Sequence, residues 1–261
     1  MSAAVASSEL SDLERRLREL QRAYYEPSGS VRDETVILDY LATLARARGV
    51  WAAELGRPLR GPRLHLGCGD HRLEGWVNAD LSRTFASGLL ADGAKGLPFA
   101  DRELAFIHCE DLLEHLDFES GIAMLRDCHR VLQEGGVLRI LTPDLRALVE
   151  KVYREGDPRE LAWCERELAA SGPCQAFNAH LRMKGEHRFV YDEQELTRVL
   201  RGIGFDVAAV RWNESAHPEL RYLDLRDFGL NLFLEATKSA PSGATRSAPS
   251  GATKSARSQP L

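Results

Sequence analysis

Apolar runs too short to be helices recur along the middle of the chain, each ending at a glycine or an acid. Leu64 to Leu66 stops at Gly67, and Trp76-Val77 leads to Asp80. Leu89-Leu90-Ala91 ends at Asp92, and Leu104 to His108 precedes Glu110. Val137 to Leu141, Phe205 to Val210 and Leu230 to Glu235 complete the set. Runs of this length between turn signals predict buried strands. Between them the spacing changes to threes and fours. Leu112 to Leu132 places Leu113, Leu116, Ile122, Leu125 and Val131 on one face and is closed by Gly135-Gly136. Pro143-Asp144 caps a helix over Leu145 to Arg154, and Asp192 to Arg201 turns Leu196, Val199 and Leu200 inward before Gly202 or Gly204. Strands alternating with helices predict an α/β fold, a doubly wound parallel sheet.

The flanks read differently. Ser7 to Arg22 carries Leu10, Leu13, Leu17 and Leu20, an amphipathic helix with Ser8 or Ser11 as its N-cap. Pro27-Ser28-Gly29 breaks it, and a second helix is predicted from about Arg32 to Leu55, burying Val36, Leu38, Leu41, Leu44 and Ala45. These helices cap the sheet, cover a ligand or form a dimer contact; the pattern does not choose. From Glu155 to Glu186 periodicity weakens: Leu161 to Ala170 reads as helical, with Gly172-Pro173 as its stop. Ser-Ala-Pro-Ser-Gly-Ala-Thr occurs at Ser239 and again at Ser247, a composition with no apolar face to bury, so the tail is expected to be disordered. The division expected is a helical N-terminal extension over 1–60, one α/β domain over 61–238 and a repeat tail over 239–261.

Composition narrows the class. At 261 residues and 44% hydrophobic, the chain suffices for one well-buried domain with extensions. The net charge is −5, and the tail from Lys238 holds Lys238, Arg246, Lys254 and Arg257 without an acid, so the rest is more acidic still. An acidic domain repels phosphate backbones, which argues against nucleic acid as a partner. No run approaches 18 consecutive apolar residues, and no basic-then-apolar N-terminal signal is present, so neither membrane nor export is expected. Five cysteines without regular spacing fit reduced thiols in a cytoplasmic protein. Oligomeric state is not legible.

The candidate chemistry lies between Arg63 and Asp80. Gly67 and Gly69 flank Cys68, allowing a sharp turn and close approach of a ligand. Asp80 ends the next strand. A Gly-rich tip beside an acidic tip forms the crevice in which open α/β sheets bind nucleotides, the acid accepting ribose hydroxyls. A dinucleotide fingerprint needs a third glycine where this chain has Arg72, and an acid roughly 20 residues on. Here Asp80 arrives 11 residues after Gly69, so a nicotinamide-dependent oxidoreductase is disfavoured.

The chain resembles class I S-adenosylmethionine-dependent methyltransferases, in their small-molecule branch and an uncharacterised bacterial subgroup. Four blocks carry the resemblance: Leu64–Asp80, Asp92–Asp101, His108–Leu116 and His129–Asp144, the last reading His-Arg-Val-Leu-Gln-Glu-Gly-Gly-Val-Leu-Arg-Ile-Leu-Thr-Pro-Asp. It implies a Rossmann-like, seven-stranded, mostly parallel sheet with helices on both faces, an antiparallel last strand, and S-adenosyl-L-methionine as cofactor. Carried over, it implies Gly67, Cys68 and Gly69 facing the methionine and ribose portions, and Asp80 holding the ribose hydroxyls. Asp92 would lie near the adenine amino group with Gly93 beside it, unless Asp92 is an ordinary turn residue. Glu110 and Asp111 would line the methionine end. The chain departs from the family in the short segment between Gly69 and Trp76, where the first helix shrinks to a turn, bringing His71 and Arg72 towards the ligands.

Methyl transfer to a small-molecule or sugar-like acceptor at oxygen or nitrogen is the reaction this implies. The cofactor supplies the leaving group, so the protein positions the nucleophile and removes its proton. His187, His115 and Tyr191 are the candidate bases, with His180 behind them. No metal is expected, with His180 and His187 the one pair left open: His108-Cys109 and Cys128-His129 are adjacent pairs whose side chains diverge, and neither Cys-x-x-Cys nor His-x-x-x-His occurs. Ser171-Gly172 lacks the strand-turn-helix setting of a serine hydrolase. The competing reading is a non-catalytic cofactor-binding or interaction protein on the same fold.

Overall fold

Each apolar run that predicts a strand is one. The structure, a computed structural model, describes residues 3–25, 39–40, 42–44, 46–50, 61–81, 88–225 and 229–239. The strands are β1 (Arg63–Leu66), β2 (Val77–Asp80), β3 (Leu89–Leu90), β4 (Leu104–Glu110), β5 (Leu132–Pro143), β6 (Phe205–Ala209) and β7 (Asn231–Lys238). They form one sheet in the order β3-β2-β1-β4-β5-β7-β6. β7 alone runs against its neighbours, pairing antiparallel with both β5 and β6.

Alternate residues of these strands face two different environments. On one face Leu64, Leu66, Ile107, Cys109, Leu138 and Ile140 join the main core with Met124, Leu125 and Cys128 of α2 (Phe118–Val131). Leu196, Val199 and Leu200 of α6 (Glu193–Ile203) complete that core. On the other face Phe106 and Val137 pack against Leu73, Trp76, Leu220 and Leu223, the last two from the connection after β6. Outside that connection lies α1 (Ala3–Tyr25), whose Leu10, Leu13, Leu17 and Leu20 bury against Tyr40, Leu44, Ala47 and Tyr222. Of the roles open to the N-terminal helices, the described contacts show them as cover for this connection. α1 begins at Ala3, so Ser8 and Ser11 lie inside it rather than at its cap. The predicted burial of Leu44 holds; Val36, Leu38, Leu41 and Ala45, and the tail beyond Ser239, lie outside the described residues.

Two predicted boundaries are corrected. α2 ends at Val131 with Leu132 already extended, and Gly135-Gly136 sit within β5 instead of closing the helix. Gly172-Pro173 starts a helix instead of stopping one: α4 (Pro158–Leu168) is followed by α5 (Gly172–Arg182), with proline in its first turn. The helix after β5 is α only over Leu145–Ala147 (α3) and continues as π-helix over Leu148–Glu155. Asp144 caps α3 as predicted, and Asp192, predicted as the first helical residue, caps α6; they accept from the Arg146 and Glu195 amides.

The second face also carries a buried polar row. Register places Asn78, His65, His108, Arg139 and Glu235 side by side across five strands, and all are buried. Asn78 uses its amide to hold the turn that stands where a first helix would be, accepting from the Leu73 amide and donating to the Leu73 and Trp76 carbonyls. Arg139 spends five N–H bonds on Asp224, Glu235 and the carbonyls of Glu214 and Arg211. His108 has neither ring nitrogen hydrogen-bonded.

Burial pushes the His71 and His108 imidazoles down to about 4 and His65 further. Unfolded, each titrates near 6.5. The native state thus binds fewer protons than the unfolded chain between about pH 6.5 and 4. Stability contributed by keeping these rings neutral is present above that window and is lost as pH falls through it. Glu114 and Glu160, raised by burial to about 7, act with the opposite sign, so the difference between two proteins is the readout. The urea midpoint of the wild type is expected to fall further between pH 7.5 and 5 than that of His108→Leu. Equal falls would contradict the neutral buried ring.

Candidate active site

At the C-terminal tip of β1, beside that of β2, the backbone makes a tight turn. Leu66 pairs with Ala79, and the Gly67 and Cys68 amides both donate to the Ala79 carbonyl. Gly67 has φ +74°, and a Cβ there would lie 2.9 Å from that of Leu112, so this position needs glycine. Gly69 has φ +49° with nothing within 4 Å of where a Cβ would stand. Its amide donates to Asp80 Oδ2 at 2.9 Å. An acid and a glycine backbone from adjacent strand tips thus meet in a cradle open to a ligand.

The other predicted residues separate. Asp92 accepts from the Ala94 amide at 3.1 Å and pairs with Lys95 Nζ at 3.1 Å, closing the turn after β3. Gly93 packs in that turn, where a Cβ would press within 3.1 Å of Met124. Glu110 and Asp111 do not face the same space. The Glu110 side chain follows His108 to the covered face and accepts from the Leu225 amide at 3.0 Å. Asp111, with φ +49°, turns the chain at the tip of β4 and lines a cavity. Tyr191 is a correction: its ring lies in the main core beside Phe189 and near Phe118, buried and not among the residues of that cavity. Burial raises its phenol to about 12.

The cavity, about 430 Å³, lies beyond the tips of β4 and β5 under the π-helix, α4 and α5. Asp111 and Glu114, one residue before and two after Leu112, line it, and Leu112 is the residue against which Gly67 packs. Its polar lining is Asp111, Glu114, His115, Glu160, His180, Glu186, His187 and Asn231, with Leu148, Trp163 and Met183 among the apolar members and no lysine or arginine among the described residues. Glu114, Glu160, Glu186 and Trp163 were not singled out by sequence; for Glu114 the signal was present in the Leu-Glu-His-Leu block.

Local folding explains these positions. A 3-10 turn over Leu113–His115 presents Glu114 and His115 directly after β4. Three consecutive residues with left-handed φ, Met183, Lys184 and Gly185, end α5 and throw the chain back across the cavity. Arg188 and Phe189 amides then donate to the Glu114 carbonyl at 2.8 and 3.2 Å, seating His187 beside that turn. The His115 and His187 rings meet edge to face, centroids 5.1 Å apart. His187 Nδ1 bonds the His180 carbonyl at 3.0 Å; the carbonyl only accepts, so Nδ1 carries the proton and Nε2 presents a lone pair. Burial lowers the His187 and His180 imidazoles to about 4 and lifts the Glu114 carboxyl to about 7. Glu114 Oε2 accepts from Thr142 Oγ1 at 2.9 Å.

A parallel sheet with one reversed strand near its edge and a glycine–acid crevice beside a cavity defines a Rossmann-like methyltransferase fold. A family model described as "Methyltransferase domain" matches residues 39–210. This chain belongs to that family and is an S-adenosylmethionine-dependent methyltransferase. No curated protein matches the sequence.

Solved structures similar to it include a SAM-dependent methyltransferase, possible histamine N-methyltransferase, from Thermotoga maritima. Identity is 18%, with 72% of this chain and 86% of that one covered, at TM-score 0.44. Another is a Mesorhizobium loti S-adenosylmethionine-dependent methyltransferase, at 16%, 75%, 100% and 0.43. A third is the Burkholderia thailandensis 1,6-didemethyltoxoflavin-N1-methyltransferase, solved with 1,6-didemethyltoxoflavin and S-adenosylhomocysteine, at 16%, 88%, 90% and 0.42.

Proposed function

We propose that the protein methylates a small-molecule or sugar-like acceptor, at oxygen or nitrogen, held in the cavity beyond β4 and β5. The observation that carries this reading is the Asp80–Gly69 contact, with open space beside Gly69, near a partly open cavity in which burial keeps His180 and His187 neutral. The cradle fits S-adenosylmethionine: the glycine tip leaves room for a ligand's approach, and a carboxylate at the second strand tip suits a ribose diol. In this assignment Gly67, Cys68 and Gly69 meet the cofactor through their backbone, Asp80 holds the ribose, and Asp92 with Gly93 shapes the adenine end. Asp111 borders the methionine end; Glu110 supports it from behind. When bound, the cofactor supplies an electrophilic methyl on a sulfonium. The chain's own part is to hold the acceptor in line, exclude water and take its proton. His187 offers the Nε2 lone pair for that purpose, with His115 packed against it.

The domain spans 61–238, with residues 1–60 an extension and 239–261 a tail. Cytoplasmic placement is supported by five cysteines that form no disulfide. Among the described residues no helix is long and apolar enough to cross a membrane. The acidic balance supports small molecules over nucleic acid as partners.

Asp80→Ala tests the cofactor assignment. S-Adenosylhomocysteine affinity measured by titration calorimetry is expected to fall at least tenfold, about 1.4 kcal/mol. A change within threefold would remove Asp80 from the site.

A further inference from the structure

Three side chains in the cavity place donor atoms together in a way that proton transfer does not require. One ligand atom each from Glu114, His115 and His187 lies within 4.8 Å of the other two. Two imidazoles and a carboxylate form the donor set of many zinc, manganese and iron centres, with remaining positions left for a substrate. A tetrahedral zinc ion at ligand distances of about 2.1 Å would hold its donors about 3.4 Å apart. Closing the present spacing takes roughly 1 Å of side-chain movement, which small rotations about χ angles supply.

The surroundings are those a metal site needs. His187 is already oriented by the bond from Nδ1 to the His180 carbonyl, which leaves Nε2 as donor. Metal-bound histidines are characteristically held in this manner. The Glu114 carboxylate is held by Thr142, and two amides from the His187 segment are fastened to its backbone carbonyl. Glu114 is 1% exposed, and among the described residues no lysine or arginine lines the cavity beside it. A second observation points the same way. His180, stacked on Trp163 with centroids 5.2 Å apart, lines the same cavity with its Nε2 buried and lacking a hydrogen-bond partner.

We propose that Glu114, His115 and His187 bind one divalent first-row transition-metal ion in the cavity, with a coordination position open towards the acceptor. This rests on reading the cavity as the acceptor's site, and it deepens the part given to the imidazoles. As ligands they would hold the ion, which would lower the pKa of an acceptor hydroxyl bound to it so that its proton passes to water.

The test uses full-length protein, stripped with EDTA and carrying no purification tag. Titration calorimetry with zinc chloride is expected to show one equivalent bound. His187→Ala and Glu114→Gln are each expected to weaken it at least tenfold, and His217→Ala to leave it unchanged. S-Adenosylhomocysteine binding by His187→Ala is expected to stay within threefold of wild type. Wild type loaded with Co²⁺ supplies a readout that needs no variant: visible ligand-field bands of a low-coordinate site support the proposal. A thiolate-to-cobalt charge-transfer band would put the ion on cysteine and overturn it, as would no zinc binding or binding unaffected by both variants. Zinc binding that persists while S-adenosylhomocysteine fails to bind would uphold the metal site and overturn the cofactor reading instead.

Discussion

Replacing Asp224 with alanine is expected to lower the unfolding free energy by about 3–5 kcal/mol. Asp224 is fully buried and takes two of the five N–H bonds of Arg139, from Nε at 2.7 Å and from Nη2. It also accepts from the Asn213 amide at 2.7 Å, which fixes the connection between β6 and β7. Removing the carboxylate leaves a buried guanidinium with Glu235 as its remaining carboxylate partner and an amide with no acceptor. Breaking a buried pair costs more than replacing it whole. The double variant Arg139→Met/Asp224→Leu is therefore expected to be more stable than Asp224→Ala alone. Urea denaturation monitored by circular dichroism measures both. A loss below about 1 kcal/mol for Asp224→Ala would show that the arginine finds other partners or water.

The second large effect concerns transfer itself. His187→Ala is expected to slow methyl transfer by about 10²–10⁴-fold, the usual contribution of a positioned proton-transfer group. S-Adenosylhomocysteine affinity is expected to remain within threefold, because the His187 ring meets His115 and the His180 carbonyl, not the glycine cradle. Incorporation of labelled methyl from S-adenosylmethionine into a low-molecular-mass extract measures the rate whichever molecule accepts the methyl. A loss under tenfold would leave His187 as a wall of the cavity. Equal losses of rate and affinity would mean that the segment had collapsed.

Much of this architecture was legible in the chain because it depends on short-range signals. Apolar runs bounded by Gly67, Asp80 and Gly136 mark strands whatever they pair with, and Asp144 and Asp192 mark helix starts through their own side chains. The cradle was legible for the same reason, since Gly67, Gly69 and Asp80 lie within one turn and its two strands.

Long-range burial was not legible. His65, His108 and Arg139 interrupt apolar runs, and nothing local says that register will align them with Asn78 and Glu235 beneath one covering connection. Tyr191 follows Phe189 with the spacing of an extended segment, and only the packing of Phe118 and Gly121 decides that its ring turns to the core. Glu110 and Asp111 are neighbours, yet the turn at Asp111 with φ +49° sends them to different sides of the sheet. Gly172-Pro173 carries two opposite local meanings, a stop before it and a start after it, and tertiary contacts selected the start. The union of Glu114 and His115 with His187 spans 73 positions and depends on the left-handed turn at Met183–Gly185, so no spacing rule exposes it.

The site as a whole depends on the turn at Gly67–Gly69 and the carboxylate of Asp80 gripping an adenosyl sulfonium compound. Titration calorimetry of the wild-type protein against S-adenosylhomocysteine and, separately, NAD tests this most directly. One saturable site for S-adenosylhomocysteine at micromolar concentration is expected, with no heat of binding from NAD. Binding of NAD with none of S-adenosylhomocysteine would contradict it.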